Sequence, residues 1–166
     1  MARRLSLQDD IKQTKAFRNL SEESTLSIVR TYTLIRRGVA AVVESEGLTP
    51  AQYNVLRILR GAGAPGLPTL TVRDRMIDEA AGITRLIDKL ERGGLVKRDR
   101  SAPDRRQVYC RITAKGLAML KRLDVRIAEA DETGGAGLTP RERKQLLVLL
   151  EKVRGALTDA APDARR

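Results

Sequence analysis

From Leu95 to Thr113 the chain reads Leu-Val-Lys-Arg-Asp-Arg-Ser-Ala-Pro-Asp-Arg-Arg-Gln-Val-Tyr-Cys-Arg-Ile-Thr, two short alternating strands around a turn crowded with arginine. Such a hairpin is a poor catalytic device and a good reader of phosphates and grooves. Just upstream, Gly82 to Arg92 has helical spacing that buries Ile83, Leu86, Ile87 and Leu90 and turns Arg85, Lys89 and Arg92 to the other side. A chain built this way must carry a small antiparallel hairpin against a helix with one apolar and one basic face.

The charge is concentrated at the same place. Of the net +11 on 166 residues, Leu95 to Arg111 holds Lys97, Arg98, Arg100, Arg105, Arg106 and Arg111 against Asp99 and Asp104, a local +4. The stretch before Leu48 carries only +2, eight cations against six carboxylates. A focused positive field attracts a polyanion, either nucleic acid or an anionic membrane surface.

Helical periodicity governs the rest. Following Ser21, with Glu22 and Glu23 at the start, Leu26, Val29, Tyr32, Ile35, Val39 and Val42 form a long stripe ended by Gly47. Thr49-Pro50-Ala51-Gln52 supplies a cap, a proline at the first helical position and a capping box. The helix it opens should run from about Pro50 to Arg60, with Tyr53, Leu56, Ile58 and Leu59 inward. Gly61 to Pro68 reads as a connector, and Thr71-Val72-Arg73-Asp74 as a second capping box opening a short helix with Val72, Met76 and Ile77 inward. With Ala80 and Ala81 ahead of the basic helix, its cap falls to Asp78 or Glu79, and Gly93-Gly94 ends it.

In the hairpin Val96 should pair with Val108, Cys110 and Ile112 on the inner face, Tyr109 and Arg111 pointing outward and Ser101 to Asp104 making the turn. Thr113 caps a long helix carrying Leu117, Leu120, Leu123 and Ile127, and Thr139-Pro140-Arg141-Glu142 opens a last one with Leu146, Leu149, Leu150, Val153 and Leu157. The Leu-Thr-Pro triplets at Leu48 and Leu138 are two helix starts rather than a repeat.

The fold class is therefore mostly α with a small β-hairpin wing: a winged helix-turn-helix between N- and C-terminal dimerisation helices. The expected division is 1–48 for N-terminal dimerisation, 49–113 for DNA binding and 114–166 for C-terminal dimerisation. The terminal helices carry more apolar stripe than a small core can cover, so a homodimer is expected.

Several functions are disfavoured. Histidine is absent and Cys110 is the single cysteine, so neither the usual Cys/His zinc site nor an internal disulfide can be assembled, though a purely carboxylate site stays possible, and nothing resembles a nucleophile–base pair. No glycine-rich phosphate loop occurs, and neither cofactor nor metal is expected. Met1 to Leu7 lacks the apolar core of a secretory signal, and no apolar run reaches the ~20 residues that cross a bilayer, so a cytoplasmic, non-membrane protein is expected.

Leu48-Thr-Pro-Ala-Gln-Tyr-Asn-Val-Leu56, Gly82-Ile-Thr-Arg-Leu-Ile-Asp-Lys-Leu-Glu-Arg-Gly-Gly-Leu-Val96, Asp104-Arg-Arg106 and Arg111-Ile-Thr-Ala-Lys-Gly116, in that order and spacing, resemble the MarR family of bacterial transcriptional regulators. The resemblance implies a two-fold dimer on a pseudo-palindromic operator in double-stranded DNA, acting as a repressor released by a small ligand or by oxidation. Half-sites about one turn apart, ~34 Å, suit such a dimer.

By the same resemblance Gly82, Thr84, Arg85 and Lys89 fall on the major-groove helix. Arg85 suits a guanine edge and Lys89 a phosphate; the competing role for Arg85 is an ion pair with Asp88 or Glu91. Arg106 would enter the minor groove with Asp104 steadying the loop, and Arg105 would touch phosphate. Thr71, Arg73 and Arg98 complete the expected DNA contacts. Tyr32, Arg36, Tyr53 and Arg57 would suit a small anionic aromatic ligand, although both tyrosines lie on apolar stripes, where such residues more often belong to the core. Cys110 alternates inward, which favours packing over an oxidation sensor. The rival to a regulator is a winged-helix scaffold that binds protein, or DNA without sequence preference.

Overall fold

The structure, a computed structural model, describes residues 6–78, 82–99 and 108–160. The chain is mostly helical: α1 (Leu7–Asp10), α2 (Leu20–Glu44), α3 (Pro50–Ala62), β1 (Leu67–Pro68), α4 (Thr69–Asp74), α5 (Ile83–Arg92), β2 (Val96–Asp99), β3 (Tyr109–Ile112), α6 (Ala114–Gly135) and α7 (Pro140–Ala160). Two compact units result, Met1–Ala128 and Glu129–Arg166, so the division falls inside α6.

In the first unit the capping logic at Thr49 is realised in full. Its hydroxyl accepts the Gln52 N–H, and Gln52 Oε1 accepts the Thr49 N–H at 2.9 Å. The cap of α2 is Asn19, two residues before Ser21; its side chain accepts the Glu22 N–H, and the helix ends at Glu44, short of Gly47. Tyr53, Val55, Leu56 and Leu59 of α3 are buried and Ile58 only partly. They meet Val43 and Leu48, Val72 of α4, Ile83, Ile87 and Leu90 of α5, Leu95, Val96 and Cys110, and Leu120, Leu123 and Ile127 of α6 in one core. Leu117, which shares the α6 register, is exposed instead.

The sheet has three strands, in the order β1-β3-β2, where the hairpin alone provides two. Val96 faces Ile112 and Arg98 faces Cys110 across the β2–β3 ladder, which places Val96 and Cys110 inward as their alternation requires. The added strand is the end of the connector, with Leu67 facing Cys110 and Pro68 facing Tyr109. A proline fits there because β1 is an edge. Gly66, at φ +70°, permits the approach: a Cβ on it would stand 2.4 Å from the Cys110 carbonyl oxygen.

Two helix starts differ from the sequence reading. α4 begins at Thr69 behind Pro68, with no side-chain cap, so Thr71 opens nothing and Ile77 is exposed. α5 is preceded by Gly82 at φ 93° with no side-chain cap, so Asp78 does not serve it, and Glu79 lies outside the described residues. At the other end Gly94 rather than Gly93 is left-handed, at φ +69°. The Leu95 N–H reaches the Leu90 carbonyl and the Gly94 N–H the Glu91 carbonyl, the paired bonds that stop a helix and turn the chain into β2.

In the second unit Thr139 and Glu142 form the expected capping box at the start of α7, and Arg143 bridges to Glu132 at 2.9 Å. Of the expected α7 stripe, Leu146, Leu149, Val153 and Leu157 are exposed and Leu150 is half-buried. No helix among the described residues is long and apolar enough to cross a membrane.

Candidate nucleic-acid interface

α5 presents two faces. Ile83, Ile87 and Leu90 lock one side to the core while Thr84, Arg85 and Lys89 stand exposed on the other. Arg85 and Lys89, four residues apart, share that face, and neither has a partner among the described residues. The acids that sequence reasoning offered to Arg85 are engaged elsewhere. Arg98, on β2, places Nη1 2.5 Å from Asp88 Oδ1 and 3.0 Å from Glu91 Oε2, and Nη2 donates to the Thr84 carbonyl at 3.2 Å. Its own N–H donates to Glu91 Oε1 at 3.1 Å. The Arg98 side chain is 18% exposed; burial is the largest influence and opposes its charge, but the bond to Asp88 and the charges of Asp88 and Glu91 together outweigh it and raise its pKa. Arg98 is thus a bracket between strand and helix rather than a free cation.

The flanking elements are wetter. Gly82 and Arg73 are exposed, Arg73 bonding its neighbour Asp74 at 3.1 Å, and Thr71 is half-buried. On the wing, Lys97 is exposed. Arg111 alternates with the buried Cys110 as expected, and on that face it is half-buried and pairs with Asp99 at 3.3 Å. Asp104, Arg105 and Arg106 at the tip lie outside the described residues.

The four residues assigned to a small ligand form two pairs. Tyr53 is buried, with the Arg57 guanidinium 5.7 Å from its ring centroid. Tyr32 is 41% exposed and donates to Asp78 Oδ1 at 2.5 Å. That bond raises the phenol's pKa, with desolvation adding to it and Arg36 pulling the other way. The Tyr32–Asp78 bond spans 46 residues and ties α2 to the segment leading into α5; nothing local in the sequence signals it. Cys110 is fully buried, and burial pushes its thiol pKa up despite the Thr69 hydroxyl 3.5 Å away.

A helix fixed by its apolar side, with cations exposed on the other and an antiparallel wing beside it, is an arrangement for binding a duplex. Comparison with known proteins agrees. The MarR family profile matches residues 48–108. The HTH-type transcriptional regulator YkoM of Bacillus subtilis is 31% identical over 145 residues, 81% of this chain and 90% of that one. The homoprotocatechuate degradative operon repressor of Escherichia coli is 31% identical over 67% of this chain and 74% of its own. A MarR transcription factor from Planctomyces limnophilus superposes with a TM-score of 0.62 at 36% identity, over 82% of this chain and 98% of that one. The chain belongs to the MarR family of DNA-binding transcriptional regulators.

Proposed function

We propose that the protein binds a pseudo-palindromic operator as a homodimer and represses transcription until a small anionic aromatic ligand releases it. The observation that carries this reading is Arg85: exposed on α5, beside exposed Lys89, while Asp88 and Glu91 are held by Arg98. A guanidinium left free on a rigid helix keeps its planar fork for the two acceptor atoms of a guanine edge. Lys89 takes a phosphate, and Gly82 and Thr84 lie along the same groove-facing side. Thr71 and Arg73 of α4 back the helix on the phosphates. Arg105 reaches phosphate and Arg106 the minor groove, with Asp104 bracing the turn. Arg98 serves as a bracket, not as a contact.

Dimerisation is assigned to 1–48 and 114–166, and DNA binding to 49–113. Supporting this are the exposed apolar residues of α2, Val29, Leu34 and Ile35, and those of α7, which call for a partner surface; two-fold pairing is the commonest solution. The repressor role draws on the relative named for a degradative operon, whose compound is an aromatic acid. The ligand would be met by Tyr32, Arg36, Tyr53 and Arg57, and the protein would work in the cytoplasm.

A competition gel shift with the promoter beside its own gene tests the central part. A regulator holds that duplex against excess random DNA; equal displacement by random DNA marks the winged-helix scaffold instead. A thermal-shift screen of aromatic carboxylates tests the ligand, and no rise in melting temperature across the set removes it.

A further inference from the structure

Asp88 lies three residues beyond Arg85 and one before Lys89 on α5, where helix geometry lets it pair with Arg85. It pairs with Arg98 instead, at 2.5 Å. Arg92, four residues after Asp88, donates to the Asp88 carbonyl at 3.4 Å and leaves the carboxylate to Arg98. Arg98 is held from both ends: its N–H and its Nη1 both bond Glu91, and Nη2 bonds the Thr84 carbonyl one residue before Arg85. The same guanidinium therefore neutralises a carboxylate of the DNA-facing helix and fastens the turn of helix that carries Arg85.

We propose that Arg98 is a positioning residue for DNA recognition: by holding Asp88 it keeps that carboxylate away from Arg85 and away from the incoming duplex. The proposal rests on Arg85 as the base reader. Without Arg98, Asp88 is free to take Arg85 as its helix partner, and an exposed pair of this kind withdraws about twofold of the arginine's availability. The larger effect is repulsion, since an uncompensated carboxylate then faces phosphates and base acceptors. Glu91 is released too, but its spacing of six residues from Arg85 puts it on another side of the helix.

The test uses the full chain, a duplex selected by that chain from a random pool, and a scrambled duplex, at a temperature where every variant is folded by circular dichroism. Arg98→Ala should lose about tenfold in affinity for the selected duplex, the scale of one base contact. Adding Asp88→Asn to Arg98→Ala should restore most of it, while Asp88→Asn alone should change affinity by about twofold or less, so that the two positions couple. Should Arg98→Ala not fold, the same cycle is run with Arg98→Gln. Loss of affinity that Asp88→Asn does not restore overturns the proposal and leaves Arg98 a brace of the fold. Failure of the underlying reading looks different: Arg85→Ala then loses affinity equally on the selected and scrambled duplexes, whatever Asp88→Asn does.

Discussion

Replacing Gly116 by alanine sets two effects of opposite sign against each other. Gly116 lies in the first turn of α6, and alanine in a helix gains up to about 1 kcal/mol over glycine. Against that, the new Cβ would stand 2.4 Å from the Leu95 carbonyl oxygen and 2.7 Å from Ile112 Cγ1, about 1 Å inside ordinary contact. The carbonyl is not free to yield, because it accepts the Thr113 N–H at 3.0 Å, and Thr113 in turn donates to Gly94 and accepts the Gly116 N–H. Overpacking against fixed backbone costs about 3 kcal/mol, the upper part of the usual range, so the net is a loss of about 2 kcal/mol. For a chain of this size that lowers Tm by roughly 4–8 °C. Gly61→Ala in α3, where nothing lies within 4 Å of the added carbon, should move Tm the other way by a few degrees. Differential scanning calorimetry of the pair decides the matter; a Gly116→Ala protein as stable as the parent refutes the close packing of wing, turn and α6.

The other expectations concern different parts of the chain. With its thiol fully buried and its pKa raised, Cys110 should resist a thiol reagent at pH 8 in the native protein and react on unfolding, and peroxide should leave DNA binding unchanged; rapid native labelling contradicts this. The Asp10 pKa is held below its ordinary 3.8, first by the hydrogen bond from Arg30 and also by its charge. A depressed folded pKa contributes stability that is fully present above the unfolded value and lost as pH falls through the folded one. Protection of the α1 amides, taken relative to their intrinsic exchange rate at each pH, should therefore fall below about pH 4, and Asp10→Asn should remove that step; an unchanged acid profile in the variant contradicts the pairing. Ile35→Glu on the exposed face of α2 should shift sedimentation from dimer to monomer, and a parent chain that sediments as a stable, folded monomer defeats the dimer outright.

What the sequence disclosed and what it concealed divide along local and non-local lines. The capping boxes at Thr49 and Thr139 could be read from four adjacent residues because every partner in them is adjacent. The buried side of α5 and the inward run Val96, Cys110, Ile112 followed from period alone. β1 escaped notice because two residues, Leu67 and Pro68, have no period; pairing with β3 makes them a strand. Thr71 looked like a cap but had no vacancy to fill once Pro68 and the sheet had started α4 at Thr69. Asp78 looked like the cap of α5, yet its carboxylate is engaged by Tyr32 from α2. Arg98, one of a run of hairpin cations by composition, reaches back seven residues to Glu91 and ten to Asp88. Charge counting cannot separate such a cation from Lys97 next to it, which stays exposed.

The account turns on Arg85 reading base edges from a helix held rigid by its other face. Equilibrium affinities of the parent and Arg85→Ala for the selected duplex and for its single-base variants measure this directly. The prediction is a loss of about 1–3 kcal/mol on the selected duplex with the preference flattened at one position in each half-site. Equal losses on every duplex, scrambled DNA included, would reduce Arg85 to a phosphate contact and contradict the account.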